Sequence, residues 1–227
     1  GWAKNKDTVL SDETRSMLAL VKGKSDLYVD CALNTQFCMS NPKARSIVAN
    51  FVAEYAENHS NSDYIHVWLG DLVNNHCECE ECVKMLPSDW FILLLNDLDA
   101  AMTDAGLDTK VVFLLYVDLL WEPQQVELKN PERFVLMFAP ITRSYDHSFA
   151  DIEALPEIPE FRLNRMRFPG AIEANMAFLQ DWNFQSRTLS MMSCAGRAVP
   201  GVRLRVSRTI FLRLSAACSK GIPQALL

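Results

Sequence analysis

Tyr64-Ile65-His66-Val67-Trp68-Leu69-Gly70-Asp71 is an apolar run that stops at a Gly-Asp pair. Such a run reads as a buried strand that delivers a carboxylate to its carboxyl end. Lys110-Val111-Val112-Phe113-Leu114-Leu115-Tyr116-Val117-Asp118 repeats the pattern, and Phe134 to Ala139 is a third apolar run. Continuous apolar strands separated by helices mean a parallel sheet covered on both faces. Catalytic groups of strand-helix barrels sit at the carboxyl ends of the strands. Asp71 is therefore the first candidate, and the long loop after it, Leu72 to Pro87, has the length of a functional loop.

Helical patterns fall between the strands. Ser40-Asn41-Pro42 pairs a capping side chain with proline in a first turn, and Ile47, Val48, Phe51, Val52 and Tyr55 follow at helical spacing. Ser88-Asp89 can cap a second helix with the stripe Phe91, Leu94, Leu95, Leu98 and Met102, stopped at Gly106. A third helix is predicted over about Ala171 to Asp181, with Ile172, Met176 and Leu179 on one face. Leu27 to Ala32 reads as an additional short strand. The link from Leu119 to Arg133 holds Pro123 and Pro131 and no helical stripe, which interrupts the strand-helix rhythm. No internal repeat or low-complexity linker divides the chain.

A chain of 227 residues with 49% hydrophobic and 22% charged residues is ordinary for a globular protein and can bury a sizeable core. Its net charge of −6 argues against a general nucleic-acid binder. No apolar run reaches the roughly 18 residues of a membrane span. Gly1 to Lys6 lacks the apolar core of a signal peptide and reads as a processed or cut-out start. Seven cysteines are an odd count, so cysteine usage does not fix the redox compartment.

The charge is unevenly spread. From Trp182 onward there is no Asp or Glu and there are seven bases, whereas the first 181 residues hold all 28 acids against 15 bases. The bases are scattered among apolar residues rather than clustered. The expected organisation is a barrel-like part over 1–184 and an atypical basic tail over 185–227. That tail is not a normal continuation of the domain and reads as partly out of frame. Arg208 to Leu212 can begin a helix.

Four segments match one family pattern in one order. They are Phe37-Cys38-Met39-Ser40-Asn41-Pro42, the strand and loop ending Cys77-Glu78-Cys79-Glu80-Glu81-Cys82, Leu115-Tyr116-Val117-Asp118, and Phe138-Ala139-Pro140-Ile141-Thr142-Arg143-Ser144-Tyr145. Over roughly Leu20 to Phe184 the chain resembles a bacterial domain-of-unknown-function family with glycoside-hydrolase-like barrels, distantly similar to hexosaminidase and alpha-glucuronidase barrels. The resemblance implies a partial (β/α)₈ TIM-type barrel, a carbohydrate substrate and a secreted or surface location; no cofactor is expected. It also implies that the chain begins after the first barrel strands.

Most glycosidases use two carboxyl groups, one protonating the leaving oxygen and the other attacking or activating water. Asp71 and Asp118 end consecutive strands, and adjacent strands lie about 4.8 Å apart. Their carboxyls can therefore fall within the roughly 5–9.5 Å such pairs span; each can instead cap its loop or pair with an arginine. A substrate acetamido group can replace the protein nucleophile. Arg143 can fork onto a carboxylate or form a structural ion pair. Tyr145, Tyr116 and the loop residue Asn74 are further candidate substrate contacts. Trp121 can stack on a sugar ring or pack against its loop. His76, Cys77, Cys79 and Cys82 could ligate zinc, but C-x-C-x-x-C lacks a second pair downstream, so a local disulfide or packed thiols are the alternative. Three function classes follow: a glycosidic-bond hydrolase, a non-catalytic carbohydrate-binding or scaffold barrel, and a metal-organised interaction module.

Overall fold

The computed structural model describes residues 10–140, 152 and 154–182, and the backbone of 189–191 and 209–213. Chain order is α1 (Asp12–Met17), β1 (Leu20–Val21), β2 (Lys24–Ser25), α2 (Pro42–Asn58), β3 (Tyr64–Trp68), α3 (Pro87–Asp104), β4 (Lys110–Leu115), β5 (Phe134–Phe138), α4 (Ile172–Asp181), β6 (Leu189–Met191) and β7 (Thr209–Arg213). The protein is a mixed α/β fold. At its centre β3, β4 and β5 run parallel, with Val67 opposite Phe113 and Phe113 opposite Leu136. Backbone pairing adds β6 beside β5 and β7 beside β3, both parallel, in the order β6-β5-β4-β3-β7. Among the described residues the sheet is open and no closed barrel forms.

Alternation along the strands sorts two faces. Ile65, Val67, Val111, Phe113, Leu115, Leu136 and Phe138 turn toward the helices, where they meet Val48, Val52, Phe91, Leu94, Leu95 and Leu98 in the main core. Val112, Leu114, Val135 and Met137 are buried on the other face, beside Tyr64, Trp68 and Tyr116. Both faces being packed explains why these strands read as continuous apolar runs. Helix α2 begins where the sequence indicates: the Asn41 side chain accepts from the Lys43 and Ala44 amides at 3.0 and 3.3 Å. Helix α3 ends at Asp104, and Gly106 follows at φ +68°, a left-handed position suited to glycine.

Several expectations need correction. Leu27 to Ala32 is not a strand: Val29 and Asp30 take positive φ, and the segment curls into short 3-10 turns at Tyr28–Asp30 and Ala32–Asn34. Helix α3 starts one residue before the expected cap, with Leu86 at the cap position and Asp89 inside the first turn. Thr209–Arg213 extends as β7 instead of opening a helix. The link from β4 to β5 contains no α-helix, as its prolines imply, only short 3-10 turns at Val117–Leu119 and Pro131–Arg133. The rest of the 185–227 tail lies outside the described residues, and no helix among them is long and apolar enough to cross a membrane.

Candidate functional site

Asp71 follows β3 by three residues, and the backbone carrying it is braced from the amino-terminal side. The buried Gln36 amide grips Gly70 in both directions: Nε2 donates to the Gly70 carbonyl at 3.0 Å, and the Gly70 amide donates to Oε1 at 3.2 Å. The Asp71 amide donates to the Leu33 carbonyl at 2.9 Å. A Cβ on Gly70 would stand 3.2 Å from the Thr35 carbonyl oxygen and 3.3 Å from that of Leu33, so any larger residue must push the brace back by a few tenths of an ångström. The Asp71 carboxylate accepts from the Leu72 amide at 3.0 Å.

Asp71 walls a cavity of about 170 Å³ at the carboxyl ends of β3 and β4. Gln36, Trp68, His76, Leu114 and Tyr116 contribute to the same wall. Pockets for drug-sized ligands run about 300–1,000 Å³, so the space suits one small ring. Trp68 and Tyr116 supply aromatic surface, and Gln36, Asp71 and His76 supply polar groups. Burial pushes the His76 imidazole below its ordinary value, against a smaller opposing pull from Asp118. His76 thus favours its neutral form, able to donate from one ring nitrogen and accept at the other.

Asp118 is placed differently from Asp71. Val117, at φ +46°, breaks the extended chain after β4 and turns Asp118 beneath the loop that follows β3. There Asp118 is 1% exposed, and its Oδ2 accepts from the Asn74 amide at 3.0 Å. It is not among the cavity-lining residues, so the cavity does not unite the two expected carboxylates. Asn74 is likewise not among the cavity-lining residues. Its side chain exchanges hydrogen bonds with the Met166 backbone at 2.7 and 3.3 Å, tying the loop to a distant segment. Trp121 is packed rather than presented: its ring meets Phe161 and Phe178 edge-on, and its Nε1 donates to the Pro159 carbonyl at 2.8 Å. Arg143 and Tyr145 lie outside the described residues.

The cysteine loop holds the second constellation. Cys38 joins Cys77, Cys79 and Cys82, and the four Sγ atoms lie within 4.8 Å of one another. Cys38 Sγ is 3.7 Å from that of Cys79 and 3.8 Å from that of Cys82. All four are free thiols, which corrects the local-disulfide alternative. The Leu20 amide donates to Cys77 Sγ at 3.3 Å and the Cys82 amide to Cys79 Sγ at 3.4 Å. Hydrogen bonds from Cys77 and then Cys82 hold the Cys38 thiol far below its ordinary value, while the bond to Cys38 pushes Cys82 up to about 11. His76 is not part of this group, although it lines both the cavity and a smaller space shared with Cys77 and Cys82.

Sequence reasoning misses two participants and misplaces a third. In the sequence Cys38 is only one residue of a family-like motif, although three loop cysteines that want a fourth soft ligand make each of the other cysteines a candidate. Gln36 gave no signal, because a glutamine clamping a backbone depends on tertiary approach. Adjacency groups His76 with the cysteines, whereas its side chain lines the cavity and lies outside the four-sulfur cluster. Compared with family models, curated proteins and solved structures, the chain matches none.

Proposed function

We propose that the chain is part of a (β/α)₈-type barrel that hydrolyses a glycosidic bond, with Asp71 as the group that moves the proton. One observation carries the reading: Asp71 stands just past the carboxyl end of a central parallel strand, in a small cavity shared with Trp68, Tyr116 and His76. Parallel strands in sequential order from β3 to β6, and packing on both faces of the central three, support the barrel. Flat aromatic faces suit a pyranose ring, and Gln36 and His76 can bond its hydroxyls.

Among the described cavity residues Asp71 is the single carboxylate. With Asp71 as acid and base, a substrate acetamido group can take the place of a protein nucleophile. In that scheme the acetamido oxygen of a 2-acetamido sugar bonds to the anomeric carbon as the glycosidic C–O bond breaks. Asp71 gives its proton to the leaving oxygen, then takes one from the water that opens the cyclic intermediate. His76 bonds the ring and fixes its orientation.

The test uses purified protein with chromogenic N-acetylhexosaminides, glucosides and glucuronides, alongside Asp71→Asn. Loss of a positioned proton donor costs typically 10²–10⁴-fold, so kcat should fall by about that much while monosaccharide binding persists. Binding without turnover in the unaltered protein would move the assignment to a carbohydrate-binding barrel. Absence of both would refute the carbohydrate reading.

A further inference from the structure

We propose that Cys38, Cys77, Cys79 and Cys82 bind one zinc ion as a closed, structural tetrathiolate site. Four sulfurs set about 2.3 Å from a central zinc stand about 3.8 Å apart along each edge of the tetrahedron. The Cys38 pairs at 3.7 and 3.8 Å match that edge, and the whole set falls within 4.8 Å. A disulfide needs sulfurs near 2.05 Å, and none of these thiols is bonded to another. An all-sulfur tetrahedron selects zinc or iron among the common metals.

The surroundings are those of a metal site rather than of packed thiols. Cys79-Glu80-Glu81-Cys82 forms a knuckle in which the Cys82 amide turns back onto the Cys79 sulfur. The Leu20 amide serves Cys77 in the same way, and the Ser40 hydroxyl lies 3.2 Å from Cys38 Sγ and 3.5 Å from Cys79 Sγ. These donors offset the negative charge that builds up when four thiolates surround a dication, which is what outer-shell groups do at metal centres. Loading releases the remaining thiol protons. All four protein positions are filled, leaving none for a water or substrate, so the role is structural.

The fold gives that role a purpose. Cys38 belongs to the segment that braces Gly70 through Gln36, while Cys77 is bonded directly to His76 of the cavity wall. The ion would therefore lock the Gln36 brace to the loop that presents His76, across more than thirty residues of chain. The inference stands whether or not the cavity acts on carbohydrate.

Full-length protein purified without chelator should contain about one zinc per chain by elemental analysis, and cobalt(II) exchanged into it should give the intense visible bands of a tetrahedral thiolate site. Cys38→Ser and Cys79→Ser should lose the zinc, whereas Cys31→Ser and His76→Ala should keep it. Alkylation of the native unaltered protein, read by mass spectrometry, supplies a result independent of how the variants fold: the four cysteines should resist the reagent until a chelator is added. Equimolar iron with visible charge-transfer absorption, disulfides among the four, zinc retained by a folded Cys38→Ser, or equal alkylation with and without chelator would each overturn the assignment.

Discussion

Asp89→Ala should destabilise the protein by about 3–4 kcal/mol. Asp89 is fully buried in the first turn of α3, and its carboxylate gathers four backbone amides. Oδ1 accepts from Gln124, Gln125 and Val126 at 2.8, 2.6 and 3.0 Å, and Oδ2 accepts from Leu86 at 3.2 Å. Charge-assisted bonds contribute about 1.5–3 kcal/mol each, but they are not additive. Gln124 and Gln125 are exposed, so their amides can turn to water after the substitution. That recovery brings the cost well below four full bonds. The helix N-terminus adds a few tenths to about 1 kcal/mol of preference for a negative group. Asn at this position keeps one carbonyl acceptor for the loop but sets an NH₂ group against the Leu86 amide, so Asp89→Asn should cost about half as much. Urea unfolding followed by far-ultraviolet circular dichroism gives both values, and Tm should drop by roughly 6–15 °C for the alanine variant. The β4-to-β5 link should also become the first site of trypsin cleavage. A loss below about 1 kcal/mol, or a variant equal to Asn in cost, would refute the idea that this carboxylate organises a link that has no helix of its own.

Arg133→Met should cost about 3–5 kcal/mol, because the buried guanidinium binds Asp99 at 2.8 Å, the carbonyls of Leu107 and Thr109, and the Thr103 hydroxyl; adding Asp99→Leu should restore part of the loss in urea unfolding. Gly70→Ala should lower stability by about 1–3 kcal/mol and weaken ligand binding, since the new methyl pushes on the Thr35 and Leu33 carbonyls that brace Asp71; calorimetric titration with a cavity ligand and a urea midpoint separate the two effects. Burial pushes His66 down to about 4, so the unfolded chain takes up a proton that the folded chain refuses. Stability should then fall as pH drops from about 6.5 to about 4 and level off below, and His66→Gln should flatten urea midpoints measured across that window.

The parallel sheet was legible because its strands are packed on both faces, which leaves long uninterrupted apolar runs at β3, β4 and β5. Helices α2, α3 and α4 were legible for a different reason, the local chemistry of their ends and stripes. Failures fall where conformation is decided by single residues at positive φ. Val29 and Asp30 turn an apolar stretch into 3-10 turns, and Val117 ends β4 early. Valine disfavours that region, so nothing in its identity could announce the turn.

Val117 also explains why the site was only half legible. Asp71 and Asp118 look equivalent in sequence, each closing an apolar run. Their backbones differ: Gly70 permits close bracing that keeps Asp71 at the cavity, while the turn at Val117 rotates Asp118 under the loop to hold the Asn74 amide. A carboxylate at a strand end is thus a candidate whose role depends on the few dihedrals after the last ladder bond. The same contrast governs the cysteines. Spacing grouped His76 with its three neighbours, yet the fold replaces it with Cys38, thirty-nine residues before Cys77, because the segment that braces Gly70 runs directly alongside the loop. One stretch, Gln36 to Cys38, therefore serves both constellations. Its displacement should loosen the cavity and the thiol cluster together, because Gln36 holds Gly70 and Cys38 belongs to the four-sulfur group.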